Sequence, residues 1–192
     1  MPGQSRAALA FVVAIATLAC NGPIPEISPL ARAAREGDAA TIRAMVAAGH
    51  DPNGIDPGGN RWTPLLHAIH KGQRPAIDAL LDIGADVHRK SGRLSPLMMA
   101  VGNGQTDVVR RLLAAGADPR GDGPGILAIA VRGGAPTDIE NPLLGRCNGD
   151  VVKALLDRDP TLRLPPNVQG HLSFMFARLN GCNEVTRMVK FS

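Results

Sequence analysis

Three stretches of the chain repeat one order of apolar and polar positions. Each opens with a hydroxyl residue, a proline and a leucine: Ser28-Pro29-Leu30, Thr63-Pro64-Leu65 and Ser95-Pro96-Leu97. A glycine follows at Gly37, Gly72 and Gly104, and a second comes twelve residues later at Gly49, Gly84 and Gly116. Between the glycines lie Ile42 with Met45 and Val46, Ile77 with Leu80 and Leu81, and Val108 and Val109 with Leu112 and Leu113. Apolar residues at i, i+3 and i+4 make one buried helical face, so each stretch predicts a pair of helices. The hydroxyl residue caps the first helix, and proline fits its first turn. The first glycine lets the chain reverse between the two helices, and the second ends the pair. A single pair cannot bury its own apolar faces, but stacked pairs share a continuous core.

The pattern runs on in altered form. A fourth unit starts with Gly125-Ile126-Leu127-Ala128 and reaches Gly133-Gly134, but its second apolar group, Val151 and Val152 with Leu155 and Leu156, arrives 13 residues late. The extra segment, 135–147, holds Pro136, Asn141, Pro142 and Gly145 and reads as a loop inserted between two helices. In a fifth unit, Ala177, Gly181, Val185 and Val189 hold the repeat positions. It ends with its second helix and reads as a cap, with 160–170 as the linker before it.

The TPL opening, the two glycines and the Gly-Ala-Asp endings at Gly84 and Gly116 resemble the ankyrin repeat. Pro29 to Pro64 is 35 residues and Pro64 to Pro96 is 32, near the family period of about 33. The histidine that follows TPL in that family is missing; Leu66 stands there and His67 comes one place later. The resemblance implies an all-α solenoid of about five helix-turn-helix repeats with an inserted loop in the fourth. The repeats run approximately over 28–60, 61–92, 93–122, 123–164 and 165–192, which makes 28–192 one ankyrin-repeat domain.

Residues 1–19 stand apart. They hold one charge, Arg6, and an apolar run of 13 residues, 7–19. That is shorter than the roughly 20 residues a spanning helix needs and suits a secretory signal peptide. The run ends Ala16-Thr17-Leu18-Ala19-Cys20, which resembles a bacterial lipobox. That resemblance implies a lipidated Cys20, a tether over 20–27, and an exported, periplasmic chain anchored in a membrane. A soluble exported form cut after Ala16 or Ala19 remains open, as does an uncleaved anchor or a buried core helix.

Composition narrows the function. The chain has no Tyr, one Trp and four Phe, too few rings for a base-stacking platform. A net charge of +4 is small and dispersed, which argues against a nucleic-acid partner. No nucleophile motif or phosphate loop is present, so neither catalysis nor a cofactor is expected. His67 and His70 have a metal-ligand spacing but no third ligand close in sequence. Asp78 and Asp82 form an i,i+4 carboxylate pair on a solvated helix face. If Cys20 takes a lipid, Cys147 and Cys182 are left as an even pair, open to a disulfide in an oxidising compartment or to two free thiols.

Ankyrin domains bind proteins through their turn tips and first helices, so the resemblance implies a contact set. Arg61 and Trp62 precede one Thr-Pro turn, and Arg93 and Leu94 precede the matching Ser-Pro turn. His70 and Lys71 lie at a first-helix end, with Asn103 and Arg132 at the equivalent places later. An exposed Trp beside Arg is the usual make-up of a binding hot spot; a Trp folded down on its own turn is the alternative. Arg61, His70, Lys71, Arg93 and Arg132 favour an acidic protein surface. The expected protein is therefore a monomeric, non-enzymatic binding module of the bacterial envelope, as an immunity protein against a delivered toxin or as an accessory protein to an envelope enzyme. A lipid-anchored spacer without a tight partner is the other reading.

Overall fold

A computed structural model describes residues 27–58, 60–123, 125–133 and 147–192. These residues are helical, with no strand beyond two isolated bridges. In chain order the helices are α1 Pro29–Glu36, α2 Ala39–Ala47, α3 Pro64–His70, α4 Arg74–Asp82, α5 Pro96–Gly102, α6 Thr106–Ala114, α7 Gly125–Arg132, α8 Gly149–Arg158, α9 Val168–Leu179 and α10 Asn183–Met188. Odd-numbered helices form one row, each packed on the next, and every even-numbered helix packs on its own odd partner. One continuous core runs between the rows, from Leu30 and Ile42 through Leu80, Leu112 and Leu127 to Val185.

The local signals act as their chemistry demands. The hydroxyls of Ser28, Thr63 and Ser95 accept from the backbone N–H of Ala31, Leu66 and Met98, three residues on. Gly37, Gly72 and Gly104 take φ of 81°, 67° and 65°, a left-handed turn that side-chain-bearing residues disfavour. Gln73 and Gln105 stand at the entries of α4 and α6 without capping them. Their amide nitrogens reach back instead, donating to Arg35 O at 3.0 Å and to Ile69 O at 2.8 Å on the first helix of the preceding pair. Asp51, Asp86, Asp118 and Asp159 close successive pairs, each carboxylate accepting the N–H two residues later.

The last pair differs from the expected linker. Residues 160–170 do not all form a turn: Asn167 accepts from Gly170 N at 3.0 Å and starts α9 at Val168. His171 therefore lies in a helix. The chain end is tied back, with Leu164 N donating to Lys190 O at 2.8 Å.

Between α7 and α8 the chain spends 16 residues, 133–148, against three between α3 and α4. The inserted segment itself falls mostly outside the described residues, as do 1–19 and Cys20. Cys147, at the far end of that connection, pairs with Cys182 in the α9–α10 turn, their Cα atoms 5.4 Å apart. The distance lies within the range a disulfide spans.

Candidate protein-binding surface

The surface around Trp62 starts from a closed loop. Asp56 N donates to Trp62 O at 2.8 Å, and Arg61 N donates to Gly58 O at 3.0 Å. The turn forces Arg61 to φ 52°, the one described non-glycine residue at positive φ. That conformation costs a side-chain-bearing residue roughly 1 to 2 kcal/mol. Arg61 is exposed at the tip of this loop.

Trp62 does not stand free in solvent. It is half-buried, packed against the core. Its ring lies along α3, 5.4 Å from the ring of His67 and 5.0 Å from that of His70. Histidines three apart on a helix share one face, and the indole meets their rings inclined by 63° and 59°, on a shelf that buries much of its apolar body. Of the two expected placements, the half-buried ring is nearer to the Trp folded down than to the exposed one, and it rests on the helix behind the turn.

Below the shelf lies a polar cluster that links the first two pairs. His67 Nε2 is 3.1 Å from Asp56 Oδ2, and both side chains are buried. Asp56 Oδ1 accepts from Ser28 N at 2.8 Å, and Arg35 Nη1 stands 3.4 Å from His67 Nδ1. Burial pushes His67 below its ordinary pKa; the Asp56 carboxylate pulls the other way, and Arg35 adds to the lowering. With Arg35 donating to Nδ1, the neutral ring donates from Nε2 to Asp56. Both ring nitrogens are thus engaged, and His67 is a bridging group with none left for a metal. Leu66, one place before His67, is fully buried. Asp122 repeats the arrangement later: it accepts from Ser95 Oγ at 2.5 Å and pairs with Lys90 at 3.1 Å.

The remaining candidates scatter along the row. Lys71 is exposed at the end of α3, and Asn103 and Arg132 are half-buried at the ends of α5 and α7. Arg93 is exposed at a second tip, where Ser91 and Leu94 exchange backbone hydrogen bonds at 3.0 Å. Leu94 turns back onto the core. The structure brings Arg61, Trp62 and His70 into one patch, while the others sit along the stack. Asp78 and Asp82 are neither isolated nor poised for acid-base work: Arg74 and Arg111 hold Asp78 at 2.9 and 3.3 Å, and Arg111 holds Asp82 at 2.6 Å. The linking residues Asp56, Arg35, Gln73 and Gln105 were not singled out from sequence. Only the Gly-Gln pairs at 72–73 and 104–105 signalled any of them.

Residues 30–122 match the family model for ankyrin repeats, three copies. The match spans the first three helix pairs and the whole shelf. Ankyrin repeats are generally protein–protein interaction modules and generally non-enzymatic. No protein of curated function matches the chain.

Proposed function

We propose that the chain is a protein-binding module of the bacterial cell envelope and that its partner docks on Arg61, Trp62 and His70. The observation that carries this reading is Arg61. Backbone strain of this kind persists where the surroundings impose it and gathers at functional sites, and here it presents a guanidinium beside the only Trp of the chain. Lys71 and Arg93 extend the positive edge, so an acidic protein surface is the complementary partner. The Cys147–Cys182 pairing supports an oxidising compartment. With the apolar run 7–19 and Cys20, it favours export to the periplasm and a lipid anchor. A module of this kind suits an immunity protein that blocks a delivered toxin, or an accessory protein that supports an envelope enzyme.

The test is affinity purification of the full chain from its own cells, with the bound proteins identified by mass spectrometry. The expected result is one stoichiometric protein, released by raised salt because the contact is charged. A chain that retains no protein in stoichiometric amount overturns the proposal and favours the spacer.

A further inference from the structure

The outer face of α9 is apolar and exposed. Contiguous apolar patches left open on a folded surface mark contact sites. Here Val168, Leu172, Met175, Phe176 and Leu179 are all exposed, Val168 at 75% and Leu179 at 73%. Five of the seven large apolar residues exposed among the described residues lie on this one helix. They recur at i, i+4, i+7, i+8 and i+11, so they form a single stripe along α9. The opposite face, with Gly170, Ser173 and Ala177, is buried.

Charge marks one edge of the stripe. His171 and Arg178, seven residues or about two helical turns apart, lie along the same edge. Residues 160–192 hold Arg163, Arg178, Arg187 and Lys190 against one acidic residue, Glu184, a net charge of 4 − 1 = +3; of the four cations, Arg178 lies on α9 itself. Among the described residues none of these four cations is ion-paired.

We propose that this stripe docks an amphipathic helix of a partner protein, whose apolar seam is edged by carboxylates. Residues 168, 172, 175 and 179 alternate steps of four, three and four, the spacing at which one helix packs along another. Pro166, Val168, His171, Leu172 and Met175 line a shallow groove at its start that accepts a protruding side chain. A lipid surface suits the stripe less well, since membrane-lying helices carry cations around a solvated polar face and this helix packs its other face on α7. A second copy would bring two surfaces of charge +3 together. The proposal is independent of the Trp62 patch, which lies on other helices.

The test uses the purified full chain and two fluorescent helical peptides with leucines at the seam, one edged with Glu and the other with Lys. Anisotropy should show the Glu peptide binding at least tenfold tighter than the Lys peptide. Leu172→Asp should weaken it at least tenfold, and Arg178→Glu should reverse the preference. Both changes are at exposed positions, so circular dichroism should show unaltered folding; Arg178→Glu keeps the test intact if Leu172→Asp does not fold. Equal affinity for both peptides, or none, overturns the proposal. So does binding to phosphatidylglycerol vesicles that Leu172→Asp abolishes while the Glu peptide is ignored, which would assign the stripe to lipid. A concentration-dependent dimer that Leu172→Asp dissolves, again without peptide binding, would assign it to a second copy.

Discussion

Asp56 holds together three groups that sequence spacing leaves apart: the backbone N–H of Ser28, the ring of His67 and, through that ring, Arg35. Removing Asp56 leaves the Ser28 N–H and the neutral His67 ring without an acceptor in a dry site, which typically costs about 1 to 3 kcal/mol for each buried group. Asp56→Ala should therefore lower unfolding free energy by about 3 kcal/mol in urea titration. The ring also makes stability depend on pH. Its folded pKa lies below the ordinary 6.5, so the unfolded chain binds the proton more readily. The contribution is complete above pH 6.5 and is lost as pH falls toward the lowered folded value. Melting temperature should drop between pH 7.5 and 5.5, and His67→Gln should flatten that fall; an equally steep fall in the variant would place its cause elsewhere. At this scale the sequence was only partly legible. The displaced histidine was visible, but its partner lies eleven residues back in a loop without periodicity, where only the folded chain brings Asp56 beneath α3. The same limit applied to Trp62, which is half-buried on two histidines. Trp62→Ala should consequently cost about 1 kcal/mol or more of stability, where an exposed tip would cost almost nothing.

The helices themselves were readable, because caps, prolines and glycines act over three or four residues. Ser28, Thr63 and Ser95 cap where the pattern placed them. The entry to α9 departs from the linker expected over 160–170: Asn167, directly after Pro166, caps a helix that starts at Val168. Gly170 shows how tight that entry is. A Cβ there would lie 2.0 Å from the Pro165 carbonyl oxygen. Gly170→Ala should thus destabilise by about 2 kcal/mol or more. Gly149, in the first turn of α8, meets nothing nearer than 3.8 Å, and Gly149→Ala should be neutral or stabilising by about 0.5 kcal/mol. Thermal unfolding of the two variants compares them directly, and equal melting temperatures would contradict this account of the α9 entry. The apolar stripe of α9 was present in the sequence at helical spacing. It stayed hidden because Ala177, Gly181, Val185 and Val189 define the repeat register, and the register marks only the buried side.

In the whole molecule, local pairs join into one stack through links between neighbours, among them the Gln73 and Gln105 bridges and the Arg111 ion pairs. The Cys147–Cys182 link spans 35 residues and fastens the last two pairs together. Loop closure of that length stabilises by about 4 kcal/mol in the chain-entropy view. Mass spectrometry of unreduced protein should find the pair joined, and Cys182→Ser should unfold 147–192 before the first three pairs; two alkylatable thiols would contradict this. At the N-terminus, the proposed lipid on Cys20 predicts that Cys20→Ala moves the protein from the membrane fraction to the soluble one, since a lipid chain contributes about 0.8 kcal/mol for each buried CH₂. Unchanged fractionation would remove the lipid anchor from the account. The stacking of pairs was legible from the repeat, whereas the binding patch was legible only as positions, because which tip residues fold down depends on the helix behind them. The central claim, that Arg61 and Trp62 present the partner surface, is tested most directly with Arg61→Gly. Glycine accepts the φ of 52° without strain, so the change removes the guanidinium and leaves the fold intact or steadier. The measurement is the affinity of the co-purified partner for the parent and for Arg61→Gly, with melting temperatures alongside. The account predicts about a thirtyfold loss of affinity with an unchanged or raised melting temperature. An unchanged affinity in a normally folded variant would contradict it.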